Sequence, residues 1–95
     1  MTPVERTNAY WFMNLILKLA ERYSFSVTSW IRTPTRNKAV GGLPNSAHLT
    51  GLGLDLVLDN VSDSEAFLKE AVEIGLHYED PKQAKDHIHL EMKVK

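Results

Sequence analysis

The chain has 95 residues, of which 43% are hydrophobic and 24% charged, with no cysteine and a net charge of −1. This is globular composition in about one domain's length of chain, so dominant disorder is excluded and residues 1–95 are expected to form a single domain. Disulfides and thiolate metal sites are impossible, and the near-neutral charge argues against nucleic acid as main partner and against electrostatic attachment to anionic membranes.

Residues 3–22 predict a helix. Val4, Tyr10, Trp11, Leu15, Ile16 and Leu19 give an apolar stripe at helical spacing, and Pro3 after Thr2 suits a first turn. The apolar stretch from Ala9 to Ala20 is interrupted by Asn14 and Lys18, and Glu5 stands where a leader would carry positive charge. Neither a signal peptide nor a membrane span fits that pattern. Phe25 to Ile31 alternates and is rich in β-formers, which predicts a strand. Thr33 and Pro34 predict the start of a short helix running through about Val40. Gly41 to Ser46 reads as a loop from its glycines, proline and asparagine.

Leu54 to Leu58 predicts a strand buried on both faces apart from Asp55. Ser62 and Glu65 predict a capping box for a helix whose inner face carries Phe67, Leu68, Ala71 and Val72, ended by Gly75. Leu76 to Tyr78 predicts a short strand, Glu79 to Lys85 a polar loop, and His87 to Val94 a last strand. The order predicts an α+β domain, with helices packed on a small, mostly antiparallel sheet.

Three of the four histidines stand beside carboxylates in two tight clusters. The first runs from Ser46 through His48, Gly51 and Gly53 to Asp55, and the second is Asp86-His87-Ile88-His89. Asp55 interrupts an apolar run, and a buried carboxylate without a partner is costly. A divalent cation supplies a partner, and His48, in a glycine-containing loop, can fold back onto the same ion. The same residues admit a plainer account, in which Asp55 accepts backbone N–H bonds near an unrelated histidine. In the second cluster, strand geometry puts His87 and His89 on one face, roughly 6.6 Å apart. One exposed and one core histidine would give the same pattern. Zinc takes histidine nitrogen and carboxylate oxygen where cysteine is absent, and three protein donors plus water is the pattern of a catalytic zinc. Softness and geometry favour zinc but leave an iron or manganese site as an alternative. His77, Trp30 and Tyr78 read as structural, and Lys82 and Lys85 as solvated.

Ser46-x-His48-x-x-Gly51-x-x-x-Asp55 followed by Asp86-His87-x-His89 resembles the zinc D-Ala-D-Ala metallopeptidases. These are bacterial and phage cell-wall peptidases that share a fold with the sonic hedgehog N-terminal domain and with lysostaphin-type enzymes. The stretch from Thr28 through Arg32 and Asn37 to Ser46 is similar to the arginine-bearing segment leading into the first motif. The resemblance therefore spans roughly Val27 to Met92.

That resemblance implies a hedgehog/DD-peptidase-like fold and a zinc-dependent hydrolase of peptidoglycan stem peptides, either D-Ala-D-Ala carboxypeptidase-like or an endolysin endopeptidase. Zinc would be held by His48, Asp55 and His89. Asp86 matches the general base, His87 and Arg32 match the groups that polarise the scissile carbonyl and stabilise its oxyanion, and Ser46 and Arg32 match substrate contacts. The chain departs from many relatives at Asp86, where glutamate is frequent, and at Gly53, where alanine is frequent. The alternative is a non-catalytic, zinc-stabilised binding or structural module of the same fold, which would need neither Asp86 nor Arg32. A monomer is expected, made without an export signal in the cytoplasm of a bacterium, phage-infected or not, and acting on the cell wall after release.

Overall fold

The computed structural model describes residues 1–79 and 87–93. Helix α1 spans Pro3–Ala20. Thr2 caps it reciprocally: the Thr2 hydroxyl accepts from the Glu5 N–H at 3.1 Å, and the Glu5 carboxylate accepts from the Thr2 N–H at 2.8 Å. Each bond satisfies an N–H that the first turn leaves without an intrahelical partner. The buried stripe is rotated from the expected one. Val4, Tyr10 and Trp11 are exposed, whereas Ala9, Phe12, Ile16 and Leu19 are buried. Both sets recur at helical spacing, and tertiary packing selects the face on which small Ala9 admits a neighbouring loop.

Strand β1 is Phe25–Ser29, α2 is Pro34–Ala39, β2 is Gly53–Leu58, α3 is Ser64–Glu73, β3 is His77–Tyr78 and β4 is Ile88–Glu91. The Thr33 hydroxyl caps α2 by accepting from the Arg36 N–H at 3.1 Å, with Pro34 in the first turn as expected. A 3-10 turn at Ala47–Thr50 leads into β2, and another at Val61–Asp63 leads into α3. The capping box expected at Ser62 and Glu65 does not form. Asn60 captures Ser62 instead, its Oδ1 accepting from both the Ser62 N–H and hydroxyl. Short polar side chains offer the backbone such local alternatives to a helix. Helix α3 starts one residue later than that box implies, without a side-chain cap at Asp63. It ends at Gly75, whose φ is +99°, with the Leu76 N–H donating to the Ala71 carbonyl at 2.9 Å.

The four strands form one antiparallel sheet in the order β1-β2-β4-β3. Successive side chains alternate between faces, and one face carries the core. Leu54, Leu56 and Leu58 of β2 and Ile88 and Leu90 of β4 pack against Phe12, Ile16 and Leu19 of α1 and Phe67 and Ala71 of α3. Strand β2 is therefore buried fully on one face, not on both as expected, since Asp55 and Val57 on the other are only half-buried. That second face, at the centre of the sheet, is where the two histidine clusters meet. Most of the expected polar loop lies outside the described residues, as do Asp86, Lys82, Lys85 and Val94. Among the described residues, no helix is long and apolar enough to cross a membrane.

Candidate metal centre

The β2–β4 register sets Asp55 directly opposite His89. Cross-strand neighbours are close enough for side chains to meet, and His89 Nδ1 lies 2.8 Å from Asp55 Oδ1. His48 arrives from the 3-10 turn. Ser46 starts that turn by accepting from the His48 N–H at 3.2 Å, and Gly51 closes it at φ +74°. Gly51 also passes so near α1 that a Cβ there would lie 2.7 Å from Ala9 Cβ. The His48 side chain is buried, with Nδ1 2.6 Å from the Trp30 carbonyl oxygen. A carbonyl only accepts, so Nδ1 carries the proton, and in the neutral ring Nε2 presents a lone pair.

That lone pair points at another acceptor, because His48 Nε2 stands 3.4 Å from Asp55 Oδ1. Two acceptors face to face, one buried and one half-buried, call for a cation between them, either a proton or a metal ion. One donor atom from each of His48, Asp55 and His89 lies within 4.8 Å of the others. Two imidazole nitrogens and a carboxylate oxygen are a donor set that suits zinc, so the residues present fit a divalent cation.

The second oxygen of Asp55 is also held. Arg32 Nη2 lies 3.3 Å from Asp55 Oδ2, its Nε donates to Ser29 Oγ at 3.1 Å, and its Nη1 donates to Asn37 Oδ1 at 3.3 Å. An irregularity in β1 between Val27 and Ser29 sets Ser29 opposite Asp55, which brings the arginine's anchor beside the carboxylate. Burial pushes the Asp55 carboxyl up, but when a proton is the cation between them, hydrogen bonds from the protonated His48 and His89 rings, with their charge, outweigh it and hold the group well below the usual carboxylate range. The Asp55 hydrogen bond raises the His89 pKa against the opposing effect of burial, and Glu79 and Glu91 add to the rise.

Arg32, Ser46, His48, Asp55, His87 and His89 all line a single cleft of about 470 Å³. The structure thus brings together every sequence-expected site residue it describes, while Asp86 lies outside the described residues. His87 is exposed in the cleft and contributes no donor to the His48–Asp55–His89 group. Glu79 and Glu91 also line it, and Glu91 Oε1 lies 3.6 Å from His89 Nε2. His77 and Tyr78 are exposed and line a separate groove beside the end of α3. Trp30 packs against the core and donates from Nε1 to the Gly51 carbonyl at 2.9 Å. Asn37 escaped the sequence reading. Its one signal is an asparagine, a poor helix former, inside a short helix.

A family model for peptidase M15 matches residues 3–91. No curated protein matches the chain. Among solved structures, the L-Ala D-Glu endopeptidase ChiX of Serratia marcescens is similar at 24% identity and a TM-score of 0.60, over 98% of this chain and 89% of that one. Identity that low speaks to the fold, and it agrees with the α+β arrangement of helices on an antiparallel sheet. The family match, by contrast, runs from the first residue of α1 to the last of β4. The chain belongs to the peptidase M15 family.

Proposed function

We propose that the protein is a zinc-dependent peptidase acting on peptidoglycan stem peptides, with the metal held by His48, Asp55 and His89. The observation that carries this reading is the convergence of those three donors within 4.8 Å in an open cleft. A divalent cation bound there supplies Lewis acidity and lowers the pKa of water to about 7.

The chain's own residues prepare the site. His48 offers Nε2 because Nδ1 is committed to the Trp30 carbonyl. His89 offers Nδ1, since its Nε2 faces Glu91. Asp55 offers Oδ1 while Arg32 holds Oδ2. Such orienting partners fix tautomer and direction at metal-binding side chains. Arg32 has five N–H donors, of which three bonds to Ser29, Asn37 and Asp55 use three. The remaining two make no hydrogen bond among the described residues and could meet an oxyanion developing on the attacked carbonyl. His87, exposed in the same cleft, can share that task. Asp86, assigned by motif resemblance, would take the proton from the attacking water and return it to the leaving amine. Ser46 borders the cleft within reach of a bound peptide.

A closed structural zinc site would need a fourth protein donor, and among the described residues His87 lies outside the His48–Asp55–His89 group. Likeness to an L-Ala D-Glu endopeptidase supports an internal stem-peptide bond as substrate over a terminal D-Ala. Metal analysis after native purification is expected to give one zinc per chain, and Asp86→Asn is expected to keep that zinc while losing about 10²–10⁴-fold in turnover. Wild-type turnover in Asp86→Asn would move the base to Glu79 or Glu91. A metal content near zero in folded protein would contradict the metal site.

A further inference from the structure

Asn37 is 3% exposed, as buried as the core, although it sits in the six-residue helix α2 and carries a polar side chain. Helix formation does not call for asparagine, so its tertiary bonds must account for it. Its Oδ1 accepts from Arg32 Nη1 at 3.3 Å, and its Nδ2 donates to the Leu43 carbonyl at 2.7 Å. This orientation of the amide follows from its partners, because a guanidinium only donates and a carbonyl only accepts. The Asn37 backbone carbonyl also accepts from the Gly42 N–H at 2.8 Å. Gly42 packs so closely that a Cβ there would lie 2.1 Å from Asn37 Oδ1. Glycine at that position is what lets the loop close over the amide.

One buried amide thus joins two parts of the cleft. On one side is the arginine that holds Asp55 Oδ2. On the other is the segment Gly41–Leu43, which lines the cleft. We propose that Asn37 is a positioning residue with two separable actions. Through Oδ1 and Arg32 it directs Asp55 toward the metal, and through Nδ2 and Leu43 it fixes the wall against which the peptide lies. The proposal rests on the metallopeptidase reading above.

Two substitutions separate the actions. In Asn37→Asp the side chain keeps its size and an acceptor for Arg32 but has no donor for the Leu43 carbonyl. In Asn37→Ala both bonds are lost. Zinc affinity is read by calorimetry on metal-free protein, and KM and kcat on a defined muropeptide. Asn37→Ala is expected to lose about tenfold in zinc affinity, the lower end of the effect of removing a ligand's direct orienting partner, because Arg32 keeps its bonds to Ser29 and Asp55, and to raise KM. Asn37→Asp is expected to hold zinc affinity within about threefold while KM rises about tenfold with little change in kcat.

Unchanged zinc affinity and KM in folded Asn37→Ala overturns the proposal. Equal loss of zinc affinity in both variants overturns the division into two actions. If circular dichroism shows that Asn37→Ala does not fold, Asn37→Asp decides, and an unchanged KM there overturns it. A wild-type protein that binds no zinc contradicts the metal reading itself and takes this inference with it, a result visible before any variant is made.

Discussion

Asp55 is the residue on which the site turns. Its Oδ1 meets both imidazoles and its Oδ2 meets Arg32, so its charge is compensated from two sides. In metal-free protein this makes stability pH-dependent in two senses. The His89 pKa is raised above its ordinary 6.5, so its stabilising contribution is full below 6.5 and is lost as pH rises through the raised value. The Asp55 pKa is lowered from 3.8, so its contribution is present above 3.8 and is lost as pH falls through the lowered value. Thermal unfolding of chelated protein is expected to show greatest stability from these two groups between about pH 4 and pH 6.5. Zinc-loaded protein should gain stability across the upper end of that range, because protons compete for the histidines. A chelated protein that grows more stable from pH 6 to pH 8 contradicts the Asp55–His89 pairing.

Arg32→Ala is expected to lower kcat and kcat/KM together by about 10²–10³-fold, as for other oxyanion donors. A raised KM alone would make Arg32 a substrate anchor, and unaltered kinetics would remove it from both tasks. That His48 and Asp55 meet was legible in the sequence because a carboxylate inside an apolar run demands a partner and a histidine stood nearby, but the choice of His89 over His87 came only from the motif resemblance. Asn37 was not legible, because its burial arises only when α2 folds against the Gly41–Leu43 segment.

Among the elements, boundaries that rest on backbone chemistry could be read from sequence, and choices of face could not. Thr33-Pro34 starts α2 and Gly75 ends α3 for reasons local to those residues. Helix α1 has apolar residues on more than one face, so spacing alone could not choose Phe12 over Trp11. That choice has a measurable consequence. Phe12→Ala is expected to cost about 3–5 kcal/mol in denaturant unfolding, the usual penalty for emptying a core aromatic site. Trp11→Ala, on the exposed face, should stay within about 0.5 kcal/mol. Comparable losses in both variants would put α1 in the wrong rotation. The start of α3 was missed for a different reason: Asn60 competes for Ser62, and sequence spacing does not rank two eligible caps.

At the scale of the molecule, α1 and α3 cover one face of the sheet and the candidate metal centre occupies the other. His48 comes from the turn leading into β2, Asp55 from β2 and His89 from β4, so a bound cation would clamp the turn and its strand to a segment distant in sequence. A domain of this size buries only about 60–70% of its unfolded surface, and such a clamp would be a substantial part of its stability. Free zinc at about 100 times its Kd contributes about 2.7 kcal/mol, which in a domain this small corresponds to a Tm shift of about 10 °C or more. An unchanged melting curve after verified metal removal would contradict that contribution. The central claim, that this clamp is the centre of a cell-wall peptidase, is tested most directly by incubating zinc-loaded protein with defined muropeptides and weighing the products. Cleavage of one stem-peptide amide bond, abolished by chelation and restored by added zinc, is the expected result. Intact muropeptides in the presence of stoichiometrically bound zinc would contradict it.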